Sequence, residues 1–293
     1  MQLELLATSE SSADEAPACS SDLERAAPPT IGEKFAQLFA GYLAAVEAWA
    51  SDLSRLSALE QIILPCESYM AAMHCLDAYD ADKLRQKAAN DIRGRIIRHA
   101  EKRFAPTGGT LSIDQHECDK AFPVERDSAS DFDPAAFWSY LEKKYGGSVG
   151  QEIAWRQAAG AVVSAFNLRD DKPVQSKGGY VVLTRRIWLD DLDKKYGKNR
   201  LSYSCTESVS DAIKALIGFA SWNERSDLGR DLRDLRSHFL DRSYNVESRK
   251  RYDCGENGEV VVVTFQTSFE YRIREDVAAQ LNIFVGTYGT VGD

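Results

Sequence analysis

Hydrophobic positions recur at two different periods along this chain, and the switch between them divides it. From Thr30 onward the apolar residues fall three and four apart: Phe35, Leu38, Tyr42, Val46, Trp49, Leu53 and Leu56. That spacing predicts a helix with this stripe against a core. Thr30 followed three residues later by Glu33 is a capping-box start. A second apolar helix is expected over 59–79, broken or kinked at Pro65. A third runs from about Asp80 to Phe104, with Ala88, Ile92, Ile96, Ala100 and Phe104 on one face. Asp133 then caps a helix whose first residue is Pro134, and Gly146-Gly147 end it. Another helix is expected over 149–168.

Beyond residue 175 the pattern changes. Tyr180 to Thr184 reads as a strand, and Thr206 to Trp222 and Leu228 to Arg242 read as helices. Residues 244–252 read as a strand, Glu256-Asn257-Gly258 as a turn, and Val260 to Phe265 as the strongest strand of the chain. Phe269 to Ile273 adds a strand, and Glu275 to Tyr288 closes as a helix. The fold class is therefore α+β, a helical N-terminal half followed by a domain with a small antiparallel sheet. The expected organisation is a disordered acidic tail over 1–29, a helical bundle or arm over 30–104, an acidic loop-rich connector over 105–133, and the α+β domain over 134–293.

Charge changes this picture more than composition does. The chain has 293 residues, 44% hydrophobic and 28% charged, which is close to an ordinary globular protein. Its net charge of −9 argues against a protein that coats DNA uniformly. The charge is uneven, however. Residues 1–33 hold seven acidic side chains against Arg25 alone, whereas residues 83–103 hold eight basic against two acidic. Residues 104–134 return to seven acidic against two basic. Lys83, Lys87, Arg95, Arg98 and Lys102 share an arc of roughly 120° on the third helix, at about 100° per residue. Three readings of that face stay open: contact with phosphates of a nucleic acid, pairing with carboxylates of this chain's own 114–133 segment or of a partner protein, or a plainly solvated face. Arg185, Arg186, Arg249, Lys250 and Arg251 form further basic clusters within reach of a partner.

No catalytic set is visible. The chain lacks a phosphate-binding GxxxxGK[ST] loop, a GxGxxG turn and a GxSxG elbow. His116-Glu117-Cys118 matches half of a zinc deaminase site, but the downstream Pro-Cys-x-x-Cys is missing. A zinc site from Cys66, His74, Cys75, His116 and Cys118 lacks paired CxxC spacing. Asp190, Asp191 and Asp193 resemble nuclease carboxylates, but Lys194-Lys195 follow directly, as on an exposed turn. The expectation is a binding protein, not an enzyme, with no metal and no cofactor. The six scattered cysteines and the lack of a secretory signal at the start suit a reducing cytoplasm. No apolar run approaches the roughly 20 residues of a membrane span.

The run from Tyr252 to Val285, YDCGENGEVVVVTFQTSFEYRIREDVAAQLNIFV, resembles the end of the domain-of-unknown-function family numbered 4942. That family typically closes with a Gly-containing turn, two strands and a helix carrying Leu-Asn, here Leu281-Asn282. Tyr180 to Leu189 with Ser208 to Phe219 resembles its earlier strand and helix, so the likeness covers about residues 135–288. The acidic tail and the long helical half depart from the family. The resemblance implies an accessory protein of phages and mobile elements, with no catalytic residues to carry over. With the missing catalytic set and the alternating charged patches, it leads to the expectation of a protein of the bacterial host cytoplasm that inhibits a host defence protein or nuclease complex by stoichiometric occlusion; the extended helical half adds the expectation of a homo-oligomer. A net acidic protein can block a DNA-binding surface by complementarity. The other expectation is a nucleic-acid-binding module using the basic face of residues 83–103.

Overall fold

Thr30 and Glu33 start the first helix as their spacing predicts. The Thr30 amide donates to Glu33 Oε2 at 2.6 Å, and the Glu33 amide donates to Thr30 Oγ1 at 3.2 Å. A computed structural model describes residues 28–63, 78–168, 175–190, 199–241 and 245–289. Residues 1–27 of the tail expected over 1–29, and the expected kink at Pro65, lie outside the described residues. Helix α1 spans Ile31–Ile63 without a break, so Leu59 continues the first helix instead of opening a second. Helix α2 spans Ala78–Phe104. Phe35 meets His99 edge-on at 5.9 Å, while Glu47 accepts from Arg85, so α1 and α2 run antiparallel.

Helix α4, Pro134–Tyr145, lies across both. Asp133 caps it by accepting from the amides of Ala135 and Ala136. Gly32 lets α1 approach closely, since a Cβ there would sit 3.2 Å from the Ala135 Cα. Phe39, Ile92, Ile96, Ala100, Phe137, Trp138 and Leu141 form the resulting core. The 105–133 segment also enters this core. It folds a short helix, α3 (Gln115–Ala121), and buries Leu111, Ile113, Cys118 and Phe132. A seven-residue helix with one buried side chain has no periodicity to read.

Helix α5, Ser148–Phe166, reaches from this core into a second. Ala154 belongs to the first core, and Ala159, Val162 and Phe166 belong to the second. The second core is built on a five-stranded sheet in the order β1-β2-β7-β6-β5, with each neighbouring pair antiparallel. The strands are β1 (Gln175–Lys177), β2 (Tyr180–Arg186), β5 (Arg251–Cys254), β6 (Val260–Thr264) and β7 (Ser268–Arg274). Strand β6 is buried at every position, as a run of four valines demands. Helices α6 (Tyr203–Trp222), α7 (Ser226–Leu240) and α8 (Glu275–Tyr288) supply the rest of this core. The fold is α+β.

Two details differ from expectation. The strand expected over 244–252 starts only at Arg251. Arg249 adopts a left-handed φ of 65°, which interrupts the extended backbone, although the Arg249 amide and the Lys250 carbonyl already bond to Thr264 of β6. A two-residue ladder of β3 (Leu189–Asp190) with β4 (Arg200–Leu201) was not legible, because it is too short to show alternation. The expected Glu256-Asn257-Gly258 turn is present, with Asn257 and Gly258 both at positive φ.

Helices α5 and α6 approach closely in the second core. A Cβ on Gly218 of α6 would lie 2.4 Å from the Ala158 Cβ of α5. Gly218→Ala is therefore expected to destabilise the protein by ~1–3 kcal/mol in urea unfolding, through overpacking. Adding Ala158→Gly should recover part of that loss, whereas the same change alone should not stabilise.

Candidate interaction surface

The apolar sector of α1 is wider than the core that takes it. Phe35, Phe39 and Leu43 turn toward α2 and α4, and Phe39 is buried. Leu38, Tyr42, Trp49 and Leu56 lie on a line roughly 85° around the helix from them, at about 100° per residue. These four side chains are 38–55% exposed. The stripe expected to face the core is thus largely a surface ridge, and only Phe35, Val46 and Leu53 of it are half-buried. The reason lies in the partners: α2 and α4 cover the Phe39 side only. Farther along α1, Leu59 and Ile62 are also exposed.

The basic face of α2 stands opposite its core side. Ala89, Ile92, Ile96 and Ala100 are fully buried, while Lys83, Lys87, Arg95, Arg98 and Lys102 are exposed. Arg95 joins this face to the α1 ridge. Its guanidinium lies 5.9 Å from the Tyr42 ring centroid, and Nη1 donates to Tyr42 Oη at 3.4 Å. Among the described residues, no carboxylate pairs with Lys87, Arg95, Arg98 or Lys102.

Pairing within the chain takes other cations of α2. Arg85 bridges Glu47 at 2.6 Å and Asp82 at 2.5 Å, and its hydrogen bond to Glu47 raises its pKa further above the ordinary range. Arg93 reaches Asp119 at 2.9 Å and the Phe122 carbonyl at 3.2 Å. That is a contact between α2 and the 114–133 segment, made by a cation outside the exposed arc. Glu117 goes to Lys144 of α4, and Asp114 caps α3.

The remaining basic residues do not gather here. Arg185 on β2 points between α5 and α6, donating from Nε to Ser208 Oγ at 2.8 Å. Its neighbour Arg186 is exposed at the end of the same strand. Arg249, Lys250 and Arg251 sit at the start of β5, in the second core's sheet. Lys250 pairs with Glu247 at 3.2 Å and lies 5.5 Å from the Tyr252 ring centroid, while Arg251 pairs with Asp253 at 2.7 Å.

No protein-family model matches this chain, and neither does any curated protein or solved structure. The chemistry of the surface therefore has to be read from its own residues. Among the described residues, no three His, Cys, Asp or Glu side chains are placed to share a metal ion. Cys66, His74, Cys75, Asp191 and Asp193 lie outside the described residues. Of the remaining zinc candidates, His116 is exposed whereas Cys118 is buried, and burial pushes the Cys118 thiol up. Burial likewise raises the Cys254 thiol to about 12, so it is inert as a nucleophile near neutral pH. What the α1–α2 face offers is an apolar ridge with cations along one side. The sequence signal that could have found the ridge was the width of the apolar sector: Phe39 lies about 100° from Leu38, so one helix carried two apolar lines.

Lys250 acts inward as well as outward. Burial first, and then the Lys250 charge, hold the His238 imidazole below its ordinary range. The unfolded chain therefore takes up the proton first, and stability falls as pH drops below about 6.5 toward the folded value. In Lys250→Ala the His238 pKa should rise, yet stay under about 6.5 because burial persists. An NMR titration of the His238 Hε1 signal measures both values.

Proposed function

We propose that the protein binds stoichiometrically, through the α1–α2 face, to a host protein complex that acts on DNA. It would serve as an anti-defence or anti-restriction accessory of a phage or mobile element. The exposed line Leu38, Tyr42, Trp49 and Leu56 carries this reading. Exposed apolar side chains aligned on one helix face and bordered by charge mark a protein interface. The cations beside it set the chemistry of the partner: an apolar groove with a carboxylate rim, into which a helix ridge fits. The sign of the face matters for mechanism. Occlusion through a basic face covers an acidic shoulder or subunit joint, not a phosphate-binding surface. The choice of a DNA-acting target rests on the resemblance of Tyr252 to Val285 to the mobile-element family.

A second reading is favoured by one observation. Lys87, Arg98 and Lys102 have no carboxylate partner among the described residues, and Arg95 stands against the Tyr42 ring. Cations interleaved with an aromatic suit the phosphates and bases of a nucleic acid.

The test compares wild type with Trp49→Asp/Leu56→Asp, two exposed positions where folding should survive. In a restriction-proficient host, wild type should raise plating of sensitive phage and co-purify with a subunit of the restriction complex near equal molar amounts. The double variant should lose protection by about tenfold or more, equivalent to ~1.4 kcal/mol of docking energy. Equal protection by the variant, or none by wild type, overturns the proposal. Stable self-association that the double variant abolishes, with no host partner, would assign the ridge to a homo-oligomer instead. A duplex shift that weakens steeply with salt and vanishes in Lys87→Glu/Arg95→Glu/Arg98→Glu would establish the nucleic-acid reading.

A further inference from the structure

Strand β2 breaks its own alternation at Arg185. Val181 and Leu183 point into the second core, and two-residue periodicity puts residue 185 on the same face. In the ladder with β7, Leu183 stands opposite Tyr271 and Arg185 opposite Phe269, both fully buried. A position that the pleat assigns to the core therefore carries a guanidinium. Two bonds fix it. Nε donates to Ser208 Oγ of α6 at 2.8 Å, and Nη1 donates to the Ala165 carbonyl in the last turn of α5. The second bond satisfies a helix-end carbonyl.

These bonds leave the Nη2 amino group, and Arg185 lines a cleft of about 340 Å³ between α5 and α6. The cleft is preorganised. Gln157 clamps its rim, accepting from the Ser112 amide at 2.9 Å and donating to the Ser112 carbonyl at 2.7 Å. Ala158, Ala161 and Ala215 give it methyl walls, and Ser164 contributes a hydroxyl. Lys214 also borders the cleft, but its charge is matched by Asp211 at 3.2 Å. Among the described residues, Arg185 has no carboxylate partner. A half-buried cation lacking an anion has given up hydration without charge compensation. Tyr271 adds a second deficit on this sheet face, because its buried hydroxyl has no partner among the described residues.

We propose that this cleft binds a small monocarboxylate with an apolar body. The carboxylate would take the free edge of Arg185, and the body would lie along the three alanines. One unmatched positive charge favours a monoanion over a phosphate dianion. Arginine held by flanking bonds is well suited to such an oxyanion, because its fork is already oriented. The volume falls in the range of small-molecule pockets. This site is separate from the α1–α2 face and does not depend on the function proposed for it.

Benzoate is the probe, followed by amide chemical shifts of the isotope-labelled full chain at low salt. Inorganic phosphate and benzamide serve as comparisons. Benzoate should saturate in the millimolar range and move the amides of Ala161, Ser208 and Ala215, and benzamide should bind at least about tenfold more weakly. Arg185→Gln should weaken benzoate at least about tenfold, but it also removes two structural bonds. Ser164→Phe covers that risk, since it fills the cleft from an exposed position and leaves the guanidinium intact; it should weaken binding to a similar extent. The proposal is overturned by any of three results: no saturation by about 10 mM benzoate, equal affinity for benzamide, or unchanged binding in Ser164→Phe. Phosphate binding at the same amides as tightly as benzoate would overturn the monocarboxylate assignment.

Discussion

Helix α5 has to satisfy two cores at once, and much else in the structure follows from how it does so. Its first turns pack where α2 ends: a Cβ on Gly150 would lie 2.8 Å from the Phe104 carbonyl. Its last turns pack on α6, with Ala158 against Gly218, and on the sheet, with Phe166 edge-on to Tyr271 at 5.1 Å. A helix buried from several sides cannot carry one broad apolar stripe. It carries small residues instead, so that neighbouring backbones come near. The same small residues leave space where no large side chain fills in, and the cleft beside Arg185 is that space.

Electrostatics follow a parallel division. Arg185 apart, several cations directed toward the body of the protein have carboxylate partners: Arg85 has Glu47 and Asp82, Arg93 has Asp119, and Arg225 and Arg274 share the buried Glu259. Arg274 also holds the Asp276 carboxyl down to about 2 by a direct hydrogen bond. Lys87, Arg95, Arg98 and Lys102 on the outer arc of α2 have no carboxylate partner among the described residues. Exposed ion pairs contribute little to stability, so the fold has no strong need to neutralise them. They remain available to steer a partner of opposite charge.

Sequence patterning was reliable where one periodic face meets one core. Helices α2, α4, α6, α7 and α8 and strands β2, β6 and β7 lie close to where their spacing placed them. It also placed α5, expected over 149–168 and found at Ser148–Phe166, and it failed where two apolar lines share one helix or where an element has very few residues. In α1 the stripe through Leu38, Tyr42, Trp49 and Leu56 was assigned to the core, but Phe39, one residue over, is the buried anchor. Nothing in the spacing alone says which of two adjacent apolar lines the rest of the chain will cover. Arg185 was legible in a different way. It was read as part of a basic pair with Arg186, although its parity with Val181 and Leu183 already turned it inward. Charge described its chemistry, and only the pleat described its address.

The shared helix also determines how the chain can be divided. Gly146-Gly147 resembles a natural joint between the helical half and the sheet half. A fragment starting there would keep α5 but lose Phe104 and its neighbours from the helix's first turns, and a fragment ending there would deprive the helical core of Ala154. The two halves therefore share one structural beam, and neither is a transferable module. In recombination, a crossover between halves would have to preserve the fit on both sides of residues 148–166 simultaneously.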